Sequence, residues 1–129
     1  MAQVKVYARK GEFRANKALI SDSIHDAVMG ALSYPQSKRF HRFFELDSSD
    51  FFYPSDRSER YTIIEISIFK GRTVQAKKAL IRRLYQNFQS NLGLAPNDLE
   101  ITIFETPRQN WGIRGLPGDE LSLSYDVNV

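Results

Sequence analysis

The sequence contains no cysteine, and it has only one tryptophan and two histidines among its 129 residues. A chain without cysteine has no disulfide, no thiolate nucleophile and no cysteine-ligated metal, which is weakly typical of a cytoplasmic protein. The two histidines, His25 and His41, are too few to make a typical zinc site by themselves. We therefore expect a cytoplasmic protein without a metal centre.

Long apolar runs and a strong net charge are also missing. No apolar stretch approaches the roughly 18 residues that suggest a membrane span, and the first residues start directly in a strand-like alternation without a signal-peptide pattern. The formal net charge is only +3, and basic residues do not form long runs. These absences predict neither a membrane nor a nucleic acid as partner.

What the chain does contain is a repeat. Lys10-Gly11 recurs 60 residues later as Lys70-Gly71, and each copy follows an alternating apolar run and precedes a helix-period run. Ala-Leu-Ile also occurs in both copies, at 18–20 and 79–81. The pattern predicts a duplicated strand–turn–helix unit. We expect one domain over 1–129, with halves at about 1–46 and 61–106 and a tail at 107–129.

Hydrophobic periodicity and turn residues predict the secondary structure. Thr73 is a suitable N-cap, Gly93 fits the end of the second helix, and Pro96 stops it. The predicted elements are a strand around 3–8, a helix over about 13–33, a strand over 40–46, a loop over 47–60, a strand over 62–69, a helix over 73–92, a strand around 99–103, and a short C-terminal strand over 121–127 after a loop.

Two β-α-β units predict parallel pairing within each unit and one four-stranded mixed sheet with both helices on one face, an α/β (α+β) fold. The other face carries Tyr7, Ile63 and Phe69, so we expect self-association to cover it. Two folds share this order of elements. One is the ferredoxin-like fold, including RNA-binding domains, although their aromatic signature is absent here. The other is the tautomerase fold.

Four features, taken in their order and spacing, carry a resemblance to a known family. They are the turn 71–73 (Gly-Arg-Thr), the helix segment 77–81 (Lys-Lys-Ala-Leu-Ile), the strand segment 100–103 (Glu-Ile-Thr-Ile) and the segment 110–115 that contains the tryptophan. Together they resemble the tautomerase superfamily, and most closely the branch of malonate semialdehyde decarboxylase. The resemblance covers nearly the whole chain. It implies a tandem β-α-β homotrimer that acts without a cofactor on small keto or unsaturated acids, by enolisation, hydration or decarboxylation.

The resemblance also implies where a site would lie. Family enzymes use an N-terminal proline, exposed by removal of methionine, as acid or base, and the matching residue here is Ala2. The arginine of the Gly-Arg-Thr turn is matched by Arg72, the decarboxylase's second arginine by Lys70, and the pocket tryptophan by Trp111. Lys38 matches an aspartate of the decarboxylase. The chain thus retains a cation and a pocket wall but departs from the family at the catalytic amine and the acid.

Elementary chemistry gives these residues plausible roles. Arg72 and Lys70 flank a glycine turn at a helix N-terminus, a place that favours a carboxylate. The α-amine of Ala2, with a usual pKa of about 7.7–8.0, becomes a base or an imine-forming group if Met1 is removed. Arg114 could reach a substrate across a subunit interface. Lys38 places a cation where the decarboxylase has an acid, which argues against decarboxylation.

Other candidates favour ordinary structural roles. His41 lies two residues after Arg39 at the start of the second predicted strand, where it fits a general base, although a lone histidine there is more often a polar surface residue. Tyr53 and Phe104 fit pocket walls or ordinary packing equally well. Asp56 is expected to stabilise a turn with its neighbour Arg57. Two hypotheses stay open: a tautomerase acting on a small carboxylate-bearing compound, and a catalytically silent homotrimer that keeps the scaffold or a small-anion site.

Overall fold

The computed structural model describes residues 2–13, 15–123 and 127. Six larger elements are followed by a small hairpin, and short 3-10 turns occupy Ser48–Asp50, Pro96–Asp98, Arg108–Asn110 and Gly118–Glu120. The larger elements and the hairpin strands are β1 (Ala2–Arg9), α1 (Lys17–Leu32), β2 (His41–Leu46), β3 (Thr62–Phe69), α2 (Val74–Leu92), β4 (Leu99–Thr106), β5 (Gly112–Ile113) and β6 (Leu116–Pro117).

The four long strands form one mixed sheet in the order β2-β1-β3-β4. Pairing is parallel within each β-α-β unit, as the sequence predicted, and the two units join through antiparallel pairing between β1 and β3 at the centre. Lys5 lies opposite Glu65, and these two residues are also equivalent under the 60-residue offset of the repeat. A pair of equivalent residues that lie opposite each other is what a two-fold axis between β1 and β3 produces, so the pairing is consistent with such an axis relating the two units.

Alternation along the central strands separates an inner from an outer face of the sheet. Val4 and Val6 of β1 and Ile64 and Ile66 of β3 are fully buried on the inner face, and both helices pack there side by side. Asn87 of α2 fastens the two helices together, since its Nδ2 donates to the α1 carbonyl of Ser23 at 3.0 Å. The prediction of two helices on one face is confirmed.

Helix α1 begins four residues later than predicted. The segment before it forms turns, and its Phe13 is completely buried with its ring centroid 5.1 Å from that of Phe43 in β2. Contact with a distant strand holds Phe13 in this turn, which periodicity along α1 alone could not indicate. The helix ends at Leu32, and Ser33 follows in the left-handed conformation with φ 49°.

Helix α2 begins and ends as predicted. Thr73 Oγ1 accepts a hydrogen bond from the Ala76 amide at 3.0 Å, and Gly93 takes the left-handed conformation with φ 62° after the last turn. The buried stripe consists of Leu80, Leu84 and Phe88. Helical periodicity in the sequence predicts a buried stripe of Ile81, Leu84, Tyr85, Phe88 and Leu92. Leu84 and Phe88 are buried as predicted, but Ile81, Tyr85 and Leu92 are only half-buried, and Leu80 takes the inward position instead of Ile81.

The tail folds back against the end of β3. Strands β5 and β6 pair antiparallel, and a Cβ on Gly118 would lie 2.5 Å from the Arg108 carbonyl oxygen, a distance that excludes any larger residue. The strand predicted over 121–127 is irregular at 121–123, and 124–126 lie outside the described residues. Within the described ranges, no helix is long and apolar enough to cross a membrane.

Candidate functional site

One end of the sheet brings together several of the predicted site residues. Ala2 starts β1 and pairs with Ile68 near the end of β3. The Ala2 nitrogen donates a hydrogen bond to the hydroxyl of Tyr34 at 3.1 Å, and both residues are buried. Tyr34 lies just beyond the C-terminus of α1, so a long-range contact fixes the start of the chain against the end of the first helix. The sequence analysis missed Tyr34, whose only local signal is the following Pro35.

Arg72 follows β3 at the same end and is 7% exposed. Its Nη1 donates a hydrogen bond to the carbonyl oxygen of Leu32, the last residue of α1. A guanidinium at a helix C-terminus satisfies a carbonyl that lacks an intrahelical partner and complements the negative end of the helix dipole. Arg72 therefore has a structural use in addition to the predicted carboxylate role, which stays a prediction.

The two predicted lysines lie in loops near this end. The Lys70 amide donates to the Thr106 carbonyl at 2.9 Å, which anchors the turn after β3, and its side chain is exposed. The Lys38 amide donates to the Pro35 carbonyl at 3.1 Å in the loop after α1, and its side chain is half-buried. Both positions could present a cation to an anion bound near Ala2.

Trp111 lies on the other side of the sheet end. Its ring meets that of Phe69 edge-on, with 5.1 Å between centroids and an interplanar angle of 81°. Alternation puts Phe69 on the face opposite to the side chains of Ile68 and Ala2. Trp111 helps to line a cavity of about 320 Å³ formed by segment 109–117. The exposed Arg114 sits in the turn of this hairpin with φ 50°.

A second cavity, of about 370 Å³, opens where β1 and β2 begin, and it is lined by Gln3, Arg39, Phe40, His41 and Arg42. The Nδ1 atom of His41 lies 2.7 Å from the hydroxyl of Ser21 in α1.

Burial, the charge of Arg39 and the neighbouring His25 lower the pKa of His41 to about 4, although Asp22 acts in the opposite direction. His41 is therefore neutral at neutral pH. Ser21 is a further residue that the sequence analysis missed, since only tertiary contact joins it to His41.

Metal binding finds no support in the described part of the chain. No group of three or more histidine, cysteine, aspartate or glutamate side chains there could hold a metal ion. His25 and His41 do approach each other, with 6.1 Å between ring centroids. The Nε2 atom of His25, however, is hydrogen-bonded to the Gln36 carbonyl at 2.8 Å and is thereby occupied.

Comparison with known proteins identifies the family. A family model described as "Tautomerase enzyme" matches residues 38–114, more than half of the chain. The chain belongs to the tautomerase family. The predicted family membership is therefore confirmed, and the match includes the Gly-Arg-Thr turn and Trp111 while Ala2 lies before it.

Two curated tautomerase relatives illustrate the likeness in sequence. The probable tautomerase YusQ of Bacillus subtilis (strain 168) is 24% identical over 116 residues, which cover 86% of this chain and 91% of the relative. The 2-hydroxymuconate tautomerase of Pseudomonas putida is 35% identical over 57 residues, 44% of this chain and 90% of that protein. A relative that matches less than half of this chain is consistent with a chain built from two similar units.

Solved structures show the same fold. A malonate semialdehyde decarboxylase superposes with a TM-score of 0.80 at 18% identity, covering 89% of this chain and 93% of that chain. A protein described as a fused 4-OT wild-type symmetric trimer superposes with a TM-score of 0.79 at 22% identity, covering 91% and 96%. The predicted tautomerase fold is confirmed by these likenesses.

Proposed function

We propose that this protein is a cytoplasmic homotrimer that binds a small carboxylate-bearing molecule and catalyses keto–enol proton transfer without a cofactor. The observation that carries the proposal is the contact between the Ala2 nitrogen and the Tyr34 hydroxyl at 3.1 Å. It occurs at the residue that matches the family's catalytic proline. A primary amine lacks the ring that directs a proline nitrogen, and the hydrogen bond that the Ala2 nitrogen donates to the buried Tyr34 hydroxyl supplies a comparable restraint.

The proton transfer assigned to Ala2 requires removal of Met1. A free α-amine has a usual pKa of about 7.7–8.0, so a fraction of it is neutral at cellular pH. The neutral amine accepts the proton of the enol hydroxyl, and the resulting ammonium donates a proton to carbon. One proton thereby moves from oxygen to carbon and the amine is regenerated.

The other predicted residues bind and enclose the substrate. Arg72 and Lys70 hold the carboxylate in this proposal, and the half-buried Lys38 adds positive charge nearby. Trp111 forms a wall, and Arg114 contributes from another subunit. The helix N-terminus that follows Arg72 supports the anion role, since its backbone N–H groups favour negative charge.

The outer face of the sheet supports the homotrimer. Tyr7 and Phe44 stack there with 4.9 Å between ring centroids, and Phe44 and Phe104 remain exposed. Aromatic side chains on a sheet face are favourable when another surface covers them. The solved relative described as a symmetric trimer has the same fold, which supports trimerisation of this chain as well.

A catalytically silent homotrimer with a scaffold or small-anion role is the second candidate. It is favoured by the hydrogen bond from Arg72 to the Leu32 carbonyl, which uses this side chain within the fold. Under this alternative the same cation serves stability, and Ala2 is simply the first residue of a strand.

Intact mass spectrometry and an enol ketonisation assay separate the two candidates. We expect the protein from its native host to lack Met1 and to ketonise phenylenolpyruvate or 2-hydroxymuconate. Arg72→Lys is expected to reduce kcat/KM by at least about tenfold, whereas Arg82→Lys on the exposed side of α2 leaves it unchanged. Retention of Met1, or no turnover by a folded protein without Met1, would reject the catalytic proposal and leave the silent trimer.

Ala2→Pro provides a gain-of-function test of the same site. A proline at the new N-terminus restores a ring-held nitrogen, so we expect a faster ketonisation than in the wild type. Tyr34→Phe in the wild-type chain is expected to lower kcat without changing the trimer mass. An unchanged rate in both variants would show that the nitrogen of residue 2 takes no part.

The trimer can be tested by native mass spectrometry. Phe104→Glu places a charge on the outer face and is expected to yield monomers. Val74→Glu changes another exposed apolar residue, at the start of α2, and is expected to preserve the trimer. Monomeric wild-type protein, or identical behaviour of the two variants, would reject the assigned interface.

A further inference from the structure

His25 of α1 is a buried polar residue that the proposed proton transfer does not use. Its side chain is 1% exposed, and the buried part of the helix around it otherwise contains mostly apolar residues such as Ile24 and Val28. Burying an imidazole without a hydrogen-bond partner costs free energy. The partner that the structure gives to His25 therefore indicates what this side chain does.

That partner is a backbone carbonyl in the loop between α1 and β2. The Nε2 atom of His25 lies 2.8 Å from the carbonyl oxygen of Gln36, which is 11 residues further along the chain. A carbonyl oxygen can only accept a hydrogen bond, so we assign a ring hydrogen to Nε2 as the donor. The bond therefore fastens the middle of the loop to the buried side of α1.

The same loop carries two of the candidate site residues. Gln36 lies two residues after Tyr34 and two residues before Lys38. The Gln36 side chain is exposed, so its packing contributes little to holding the loop at this point. The Lys38 amide donates to the Pro35 carbonyl at 3.1 Å and closes a turn around Gln36. The hydrogen bond from His25 fixes this turn to the helix, and with it the position of Tyr34.

Contacts on its other side hold the His25 ring in place. His41 of β2 meets it edge-on, with 6.1 Å between ring centroids and an interplanar angle of 72°. The Nδ1 atom of His41 in turn lies 2.7 Å from the hydroxyl of Ser21. At the end of the loop the Val4 amide donates to the Phe40 carbonyl at 2.9 Å. The orientation of the His25 ring is therefore restrained, and the loop that it holds ends against β1.

We propose that His25 is a positioning residue for the Ala2 nitrogen. It holds the loop through the Gln36 carbonyl, and the loop presents the Tyr34 hydroxyl to the Ala2 nitrogen at 3.1 Å. The inference deepens the proposed function and rests on it for any effect on turnover. The hydrogen bond between Ala2 and Tyr34 does not itself require turnover, so the positioning role can be measured separately.

Hydrogen exchange of the Ala2 amide, followed by NMR of the assembled protein that retains Met1, tests the positioning role. His25→Leu removes the donor, and we expect exchange at Ala2 to become at least about tenfold faster, as in Tyr34→Phe. His25→Gln places an amide donor near the position of Nε2 and is expected to restore most of the protection. If His25→Leu does not fold, His25→Asn replaces it, because the shorter asparagine amide does not extend as far as Nε2.

Two further variants show whether the effect is specific. Tyr85→Phe is the matched control, since it removes a side-chain donor to the Leu99 carbonyl at 2.7 Å in the second unit, and it should leave exchange at Ala2 unchanged. In a Tyr34→Phe background, His25→Leu is expected to change exchange by less than about twofold, because its effect passes through the Tyr34 hydroxyl.

Several outcomes would overturn the positioning role. They are unchanged exchange at Ala2 in a folded His25→Leu or His25→Asn variant, equal losses of protection in His25→Gln and His25→Leu, an equal effect of Tyr85→Phe, and additive effects of His25→Leu and Tyr34→Phe.

Turnover separates this inference from the proposed function. In a protein without Met1 that ketonises 2-hydroxymuconate, His25→Leu should lower kcat about as much as Tyr34→Phe does, and His25→Gln should restore it. A folded protein without turnover would reject the catalytic proposal and leave the exchange result standing. An active protein whose Ala2 protection does not depend on His25 would retain the catalytic proposal and reject the positioning role.

Discussion

The two glycine turns of the repeat share a backbone hydrogen bond and a glycine with positive φ, but the residue after the glycine carries opposite charge in the two turns. The amide of Lys10 donates to the Leu46 carbonyl at 2.8 Å, and the amide of Lys70 donates to the Thr106 carbonyl at 2.9 Å. In both turns the glycine has a positive φ, 96° at Gly11 and 130° at Gly71. The following residue is Glu12 in the first turn and Arg72 in the second.

Despite this difference, an arginine side chain donates hydrogen bonds to carbonyl oxygens at the C-terminus of each helix. Arg72 donates directly to the Leu32 carbonyl at the end of α1. Glu12 instead accepts from Arg60 Nε at 3.2 Å, and Arg60 donates to the carbonyls of Leu92 and Gly93 at the end of α2. The fold thus places a cation at both helix C-termini by different routes. A cation in such a turn is therefore explained at least in part by helix capping, and the carboxylate binding that we propose for Arg72 would be a separate role.

The strongest expected effect distinguishes these two arginines. Arg72→Ala should destabilise the protein by about 2–3 kcal/mol, because it leaves a buried carbonyl without its charged donor. Arg60→Ala should cost about 1 kcal/mol or less, since the Arg60 side chain is 41% exposed and water can replace it. Urea unfolding of each variant measures the difference. Equal losses of stability in the two variants would show that the burial of Arg72 does not make its helix cap stronger than that of Arg60.

The next effect concerns His41, for which the second unit has Ile101 at the equivalent position in the sheet register. The pKa of His41 is lowered to about 4 in the folded protein, below its usual value of about 6.5. The unfolded chain therefore binds the proton more readily, and stability should be complete above pH 6.5 and fall as the pH drops toward 4.

We expect this loss to be on the order of 1–2 kcal/mol after allowance for the partial exposure of the ring. Denaturant unfolding at several pH values measures it, and His41→Gln should flatten the profile in this range. A wild-type profile that is already flat would contradict the lowered pKa.

A third effect compares the helix N-termini. Thr73 caps α2 through its side chain, whereas Asn16 before α1 makes no side-chain cap hydrogen bond. Thr73→Ala should therefore cost about 1 kcal/mol, and Asn16→Ala should change stability by less than about 0.5 kcal/mol. Thermal unfolding of both variants tests this asymmetry, and a larger loss for Asn16→Ala would contradict it.

The smallest effect concerns the residues after the helices. Ser33 and Gly93 both take the left-handed conformation, with φ 49° and 62°. Ser33→Gly should raise stability slightly, by up to about 1 kcal/mol, while Gly93→Ala should lower it by about 1 kcal/mol. Denaturation midpoints measure both, and a stabilised Gly93→Ala variant would contradict the strain argument.

Features that depend on local pattern could be predicted well. The repeat, the mixed sheet and the caps of α2 follow from alternation, helix period and the preferences of threonine and glycine. The start of α1 was predicted too early because Phe13 packs on a strand that lies far along the sequence. Periodicity placed Ile81 in the buried stripe of α2, whereas the structure places Leu80 there, because both residues fit the helical period and only packing distinguishes them.

The candidate site was less predictable. Ala2 and Arg72 were chosen for their resemblance to family positions, yet their partners, Tyr34 and the Leu32 carbonyl, lie 32 and 40 residues away in sequence. The same is true of Ser21 and His41, which are 20 residues apart. No periodicity along one element indicates such pairs.

The sequence by itself determined two similar units, the inward and outward faces of their strands, and the family to which the chain is similar, because these follow from composition and order. Only the tertiary structure decided that Arg72 also ends a helix, that Tyr34 meets Ala2, and that Arg39 and Arg42 share a cavity. The physical reason is that hydrogen bonds and charges act through space, between residues that the chain brings together only when the sheet and helices pack.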